Sequence, residues 1–77
     1  MTLEEFFARN WYLTVESGNE AVRNYTGTSI AKRSNRHFRA RKECLLKWAM
    51  KEFPNVDSEE IELLIDDTFP APLISYQ

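Results

Sequence analysis

The sequence predicts a small α+β domain: a short N-terminal helix, an antiparallel sheet of two or three strands, a main amphipathic helix over about 41–53 and an acidic helix over about 58–67. Three patterns lead there. Thr2 and Glu5 have capping-box spacing ahead of apolar Leu3, Phe6 and Phe7. Trp11 to Glu16 alternates aromatic and β-branched residues with polar ones at period two, just before Ser17-Gly18-Asn19. Leu45, Leu46, Ala49 and Phe53 make an apolar stripe that Pro54 closes.

In chain order, the capping box starts a helix over Leu3 to Arg9, with Met1 and Phe6 placed as its hydrophobic staple. Trp11, Leu13 and Val15 then line one side of a strand, with Tyr12, Thr14 and Glu16 on the other. Ser17-Gly18-Asn19 serves as a turn, and Ala21 to Thr28 returns as the hairpin partner. A helical turn over Glu20 to Tyr25, stopped by Gly27, is the competing reading and would make the chain an all-α bundle. Ser34-Asn35 suggests a further turn, with Arg36 to Ala40 as a third short strand; alternatively the main helix begins at Ser34. In the main helix Lys47 and Lys51 point away from the stripe. Asp57 and Glu60 make a second capping box, and Ile61, Leu64 and Ile65 follow at helical spacing. The acidic first turn suits the helix dipole, which decides against a strand of Ile61, Leu63 and Ile65. Phe69-Pro70-Ala71-Pro72 fits neither ladder, so 69–77 reads as a C-terminal tail, with Leu73 to Tyr76 an edge strand at most.

A chain of 77 residues supports one domain with one small core. At 43% hydrophobic and 13% aromatic it has the material for that core, which argues against disorder. A homodimer would bury more of the aromatic payload. Cys44 is the only cysteine, no basic-then-apolar leader opens the sequence, and no run nears the roughly 20 apolar residues of a membrane span. The expectation is a cytoplasmic protein with no membrane association. Without a secretory signal, the sequon Asn24-Tyr25-Thr26 is read as chance.

Charge is the most uneven property of the chain. The net charge is −2 over residues 1–31, +7 over 32–51 and −7 over 52–77. Such segregation favours polyanions or oppositely charged protein faces as partners. The candidate binding residues are Arg33, Arg36, Arg39, Arg41 and Lys42, since Arg and Lys hold phosphates and carboxylates by charge and forked hydrogen bonds. With the main helix starting near 41, these cations crowd its electropositive end, an arrangement that suits an anion site. The competing reading pairs them with the chain's own acidic third, which could also imitate a phosphate backbone. Tyr12, Arg23 and Tyr25 would share a hairpin face, a composition common at binding hot spots.

Nothing calls for catalysis, a cofactor or a metal. His37 and Cys44 lack a positioned base and an oxyanion site, and Asp66-Asp67 has no His or Cys at ligand spacing. In pattern, the aromatic run Trp11-Tyr12-Leu13-Thr14-Val15-Glu16, the Gly-Asn turn and Phe38-x-Ala40 entering an amphipathic helix resemble small phage-encoded α+β inhibitors. These include anti-CRISPR proteins and inhibitors of host RNA polymerase, and the resemblance implies a compact binder that blocks a nucleic-acid-handling complex. A helix-turn-helix over Gly27 to Phe38 fits worse, because Arg33 falls where that motif needs an apolar residue. The functional expectation is a non-catalytic protein-binding module, with direct nucleic-acid binding through 32–42 as the alternative.

Overall fold

Helices account for all the regular structure in the computed structural model, which describes residues 1–27 and 29–70. Helix α1 spans Leu3–Asn10 and runs into a 3-10 helix, Trp11–Thr14, and then α2, Val15–Arg23. The long α3, Ile30–Glu52, follows, and then α4, Ser58–Thr68. No strand occurs among the described residues, so the α+β expectation is wrong and the domain is all-helical there.

The capping box behaves as its sequence suggests. Thr2 Oγ1 accepts from the Glu5 amide at 3.1 Å, and Glu5 Oε1 accepts from the Thr2 amide at 3.2 Å. Asp57 caps α4, its carboxylate accepting from the Glu59 amide at 3.3 Å, but the expected box with Glu60 is not formed among the described residues. These ends are local chemistry, which is why α1 and α4 lie where the sequence puts them.

The expected strand at Trp11 to Glu16 is instead a continuous helical path. Period two would bury Leu13 and Val15 with Trp11, but these two are 51% and 37% exposed. The inward residues are Phe7, half-buried Trp11, Thr14 and Gly18, spaced four, three and four apart. That is a helical stripe whose last two members are not hydrophobic. The expected hairpin return, Ala21 to Thr28, is no strand among its described residues: it is the end of α2, a turn at Asn24 and irregular backbone over Tyr25 to Gly27. Thr28 itself lies outside the described residues. The expected third strand, Arg36 to Ala40, is interior to α3.

α3 begins at Ile30, not near 41, with the Ser29 hydroxyl accepting from the Lys32 amide at 3.4 Å. At about 1.5 Å per residue it is about 34 Å long, and it sets the long axis of a molecule measuring 42 × 23 × 19 Å. Its C-terminal half meets the core. Phe6, Phe7, Leu45, Ala49, Ile61 and Ile65 are buried there, ringed by Trp11, Trp48, Phe53, Phe69 and smaller apolar residues. Edge-to-face pairs tie the layers together, Phe6 on Phe53 at 5.6 Å and Phe7 on Phe69 at 6.3 Å. α4 folds back along this half, bringing Asp66 to an ion pair with Lys42.

The N-terminal half of α3 pairs with α2 as an antiparallel hairpin. Gly18 lies opposite His37: a Cβ there would stand 2.7 Å from the His37 Nε2. The imidazole nitrogen is 3.2 Å from Asn19 Oδ1. A glycine inside α2 is therefore what permits the close approach. Phe69 packs into the core, so the expected tail at 69–77 loses its first residue to the fold. The expected edge strand at Leu73 to Tyr76 lies outside the described residues.

Candidate binding face along α3

The five candidate cations of the basic segment all sit on α3, but they divide into two groups with different work. Arg41 faces inward. Its Nε donates to Thr14 Oγ1 at 3.0 Å, its Nη2 donates to the Trp11 carbonyl at 2.9 Å, and its guanidinium lies 4.0 Å from the Trp11 ring centroid. The same indole stacks on Phe69 at 4.1 Å and meets Phe38 edge-on at 5.6 Å. Burial pushes the Arg41 guanidinium down from its usual high pKa, and it remains charged at neutral pH. Thr14, with no exposed surface, uses its hydroxyl both to accept from Arg41 and to donate to Trp11. Arg41 is thus a structural clamp on the 3-10 helix. Lys42 is also engaged at home, by Asp66 and by the Phe38 ring 5.4 Å away.

Arg33, Arg36 and Arg39 remain exposed on the projecting half. Arg33 reaches back to the Gly27 carbonyl at 3.5 Å. Arg36 Nε donates to the Ala21 carbonyl at 3.3 Å, and its guanidinium sits 5.4 Å from the Tyr25 ring centroid. Arg39 makes no hydrogen bond or ion pair among the described residues, and neither does the side chain of Lys32, which joins the same row. Lys32, Arg36 and Arg39 follow one another by four and three residues and so share one side of the helix. With Tyr25, Asn35 and Ala21 they line an open cleft of about 500 Å³.

Beginning α3 at Ile30 corrects one expectation directly. Arg36, Arg39, Arg41 and Lys42 lie inside a helix, so no anion site arises from a helix start near 41; Arg33, with Lys32, falls in the first turn of α3. The hairpin face of Tyr12, Arg23 and Tyr25 is also undone. Tyr12 stands on the 3-10 helix, 65% exposed. Arg23 closes α2 in a 2.9 Å ion pair with Glu16 whose members are both well exposed; the Glu16 carboxyl is held low by Arg23, and the guanidinium is raised in turn. Tyr25 alone of the three joins the basic row, through Arg36.

The acidic third meets this row at one end. A second cleft of about 260 Å³ is lined by Arg39, Lys42, Glu43, Leu46, Glu62, Ile65 and Asp66. Arg39 and Glu43 line both clefts, so the two are continuous along one flank of α3. Lys32 and Glu43 were missed as face residues because a helix starting at 41 separates them. A helical reading from Ser29 would have aligned them. His37 and Cys44 lie two turns apart, about 10 Å along the axis, too far for one to take a proton from the other. Among the described residues no group of three His, Cys, Asp or Glu side chains could hold a metal, and no helix is long and apolar enough to cross a membrane.

Comparison with protein-family models, curated proteins and solved structures finds no match for this chain.

Proposed function

We propose that the chain is a non-catalytic protein-binding module that engages an acidic protein surface through Lys32, Arg36 and Arg39. The observation that carries this reading is the row itself: three exposed cations in line that form no ion pair among the described residues, while Lys42 is the one basic residue of the segment that does. Exposed charges of this kind set partner choice and association rate. A module of this sort can inhibit by covering a charged face that a nucleic-acid-handling complex uses.

The flank also argues for protein over nucleic acid as the direct ligand. A phosphate backbone laid along α3 would pass from Arg39 into a cleft whose other cation, Lys42, is already paired with Asp66, and would run past Glu43 and Glu62. A protein surface that is acidic only opposite Lys32, Arg36 and Arg39 suffers no such repulsion. Capture from native lysate is expected to recover a stoichiometric partner that the Lys32→Glu/Arg39→Glu variant loses. Direct binding through 32–42 would show instead as affinity for generic DNA or RNA that falls steeply with salt, the slope dropping by about one for each phosphate contact removed. That result would replace the protein-binding reading.

A further inference from the structure

The flank of α3 that carries the basic row continues as Glu43, Leu46 and Met50, so the full series is Lys32, Arg36, Arg39, Glu43, Leu46 and Met50. The steps are four, three, four, three and four residues, the spacing of a helix-pairing seam. It is distinct from the line that enters the core through Arg41, Leu45 and Ala49. The seam is basic in its first half and acidic, then apolar, in its second. Beside the second half, α4 presents Glu59, Glu62 and Asp66, spaced three and four apart on one face. Asp66 is taken by Lys42. Three cations (Lys32, Arg36, Arg39) therefore precede three carboxylates (Glu43, Glu59, Glu62) that form no ion pair among the described residues, all of them exposed.

We infer that this flank is self-complementary and that a second copy of the chain docks on it antiparallel, about a two-fold axis passing between Arg39 and Glu43. The inference rests on the proposed role of the basic row as a protein-binding face and names an occupant for it. In that register Arg39 of each copy meets Glu43 of the other. Arg36 crosses the second copy's Leu46 and Lys32 its Met50, stems over apolar surface and charged heads toward Glu62 and Glu59 of α4. Two-fold symmetry makes every such contact occur twice. A flank about 27 Å long from Lys32 to Met50, widened by the edge of α4, offers area on the order of the roughly 800 Å² per partner that a standard interface buries.

Sedimentation velocity tests this with two variants whose altered side chains make no hydrogen bond or ion pair among the described residues. Lys32→Glu/Arg39→Glu turns the seam acidic, and Glu43→Lys/Glu62→Lys turns it basic; circular dichroism verifies that both stay helical. The native chain is expected to dimerise at low ionic strength and dissociate as salt rises. Each variant alone is expected to weaken dimerisation by about tenfold or more, and an equimolar mixture of the two to form a one-to-one heterodimer. A native chain that stays monomeric at low salt overturns the inference, as does a mixture that fails to pair or that grows into open chains. If the native chain is monomeric yet still captures a partner that Lys32→Glu/Arg39→Glu loses, self-pairing falls and the proposed function stands.

Discussion

The two halves of α3 belong to one helix and obey different rules. From Arg41 to Glu52 the helix is held by apolar burial: Leu45 and Ala49 have no exposed surface and lie among Phe6, Phe7, Ile61 and Ile65. From Ile30 to Ala40 no described side chain is fully buried. That half is held by polar contacts to α2, Arg36 to the Ala21 carbonyl and His37 to Asn19, by the close approach that Gly18 permits, and by the half-buried Phe38 edge-on to Trp11. Burial of a large apolar side chain stabilises by about 1.5–3 kcal/mol, whereas a solvent-exposed hydrogen bond adds about 1 or less. Stability is thus concentrated at one end, and the other is free to carry charge that an interior could not accept.

The largest test of that division is Leu45→Ala. It opens a cavity in the core and is expected to cost about 2–5 kcal/mol by chemical denaturation. Arg36→Ala, on the projecting half, is expected to cost no more than about 1 kcal/mol in the same measurement. Should the two cost the same, the halves are not energetically distinct.

Arg41→Ala probes the junction. It removes two hydrogen bonds and the stack on Trp11 and leaves the Thr14 hydroxyl with one partner fewer, so a loss of about 1–3 kcal/mol is expected. The change should also alter the Trp fluorescence. A loss as small as that for Arg36→Ala would show that Arg41 belongs with the exposed row after all.

Gly18→Ala sharpens the picture of the projecting half. In an open helix the change would stabilise by about 1 kcal/mol. Here the new Cβ would meet the His37 ring at 2.7–2.9 Å, and the expected outcome is a net loss of about 1 kcal/mol. Amide exchange should rise in α2 while the amides of Leu45 and Ala49 keep their protection.

The smallest effect concerns pH. The Thr2 amide and hydroxyl, in that order, hold the Glu5 carboxyl below its ordinary range. A carboxyl with a lowered folded-state pKa contributes stability that is full above its unfolded value and is lost as pH falls through the folded one. Acidification should therefore fray the first turn of α1 before it disturbs the core, seen as faster exchange at Glu5 and Phe6. Fraying at neutral pH in Thr2→Ala would mark the same cap.

The elements legible in the sequence were those closed by local chemistry. Thr2 with Glu5, and Asp57 at the start of α4, fixed two helix starts through hydrogen bonds spanning two or three residues, and the stripe at Leu45, Ala49 and Phe53 marked the buried half of α3. The basic cluster was legible as a cluster, though its division was not. Nothing at positions 33–42 says that Arg41 alone turns inward, since that depends on Trp11 and Thr14 arriving 27 or more residues away in sequence.

By itself, then, the sequence determined the starts of α1 and α4, the end of α3 before Pro54, the apolar face of the core half and the segregation of charge, because each is written in neighbouring residues. Only the tertiary structure decided that Trp11 to Glu16 is helical and that α3 begins at Ile30. The inward stripe there runs through Thr14, Gly18 and His37, residues whose place is fixed by fit and hydrogen bonding across α2 and α3. Hydrophobic periodicity is blind to such a stripe. It reads the polarity of a side chain and not the partner that satisfies it.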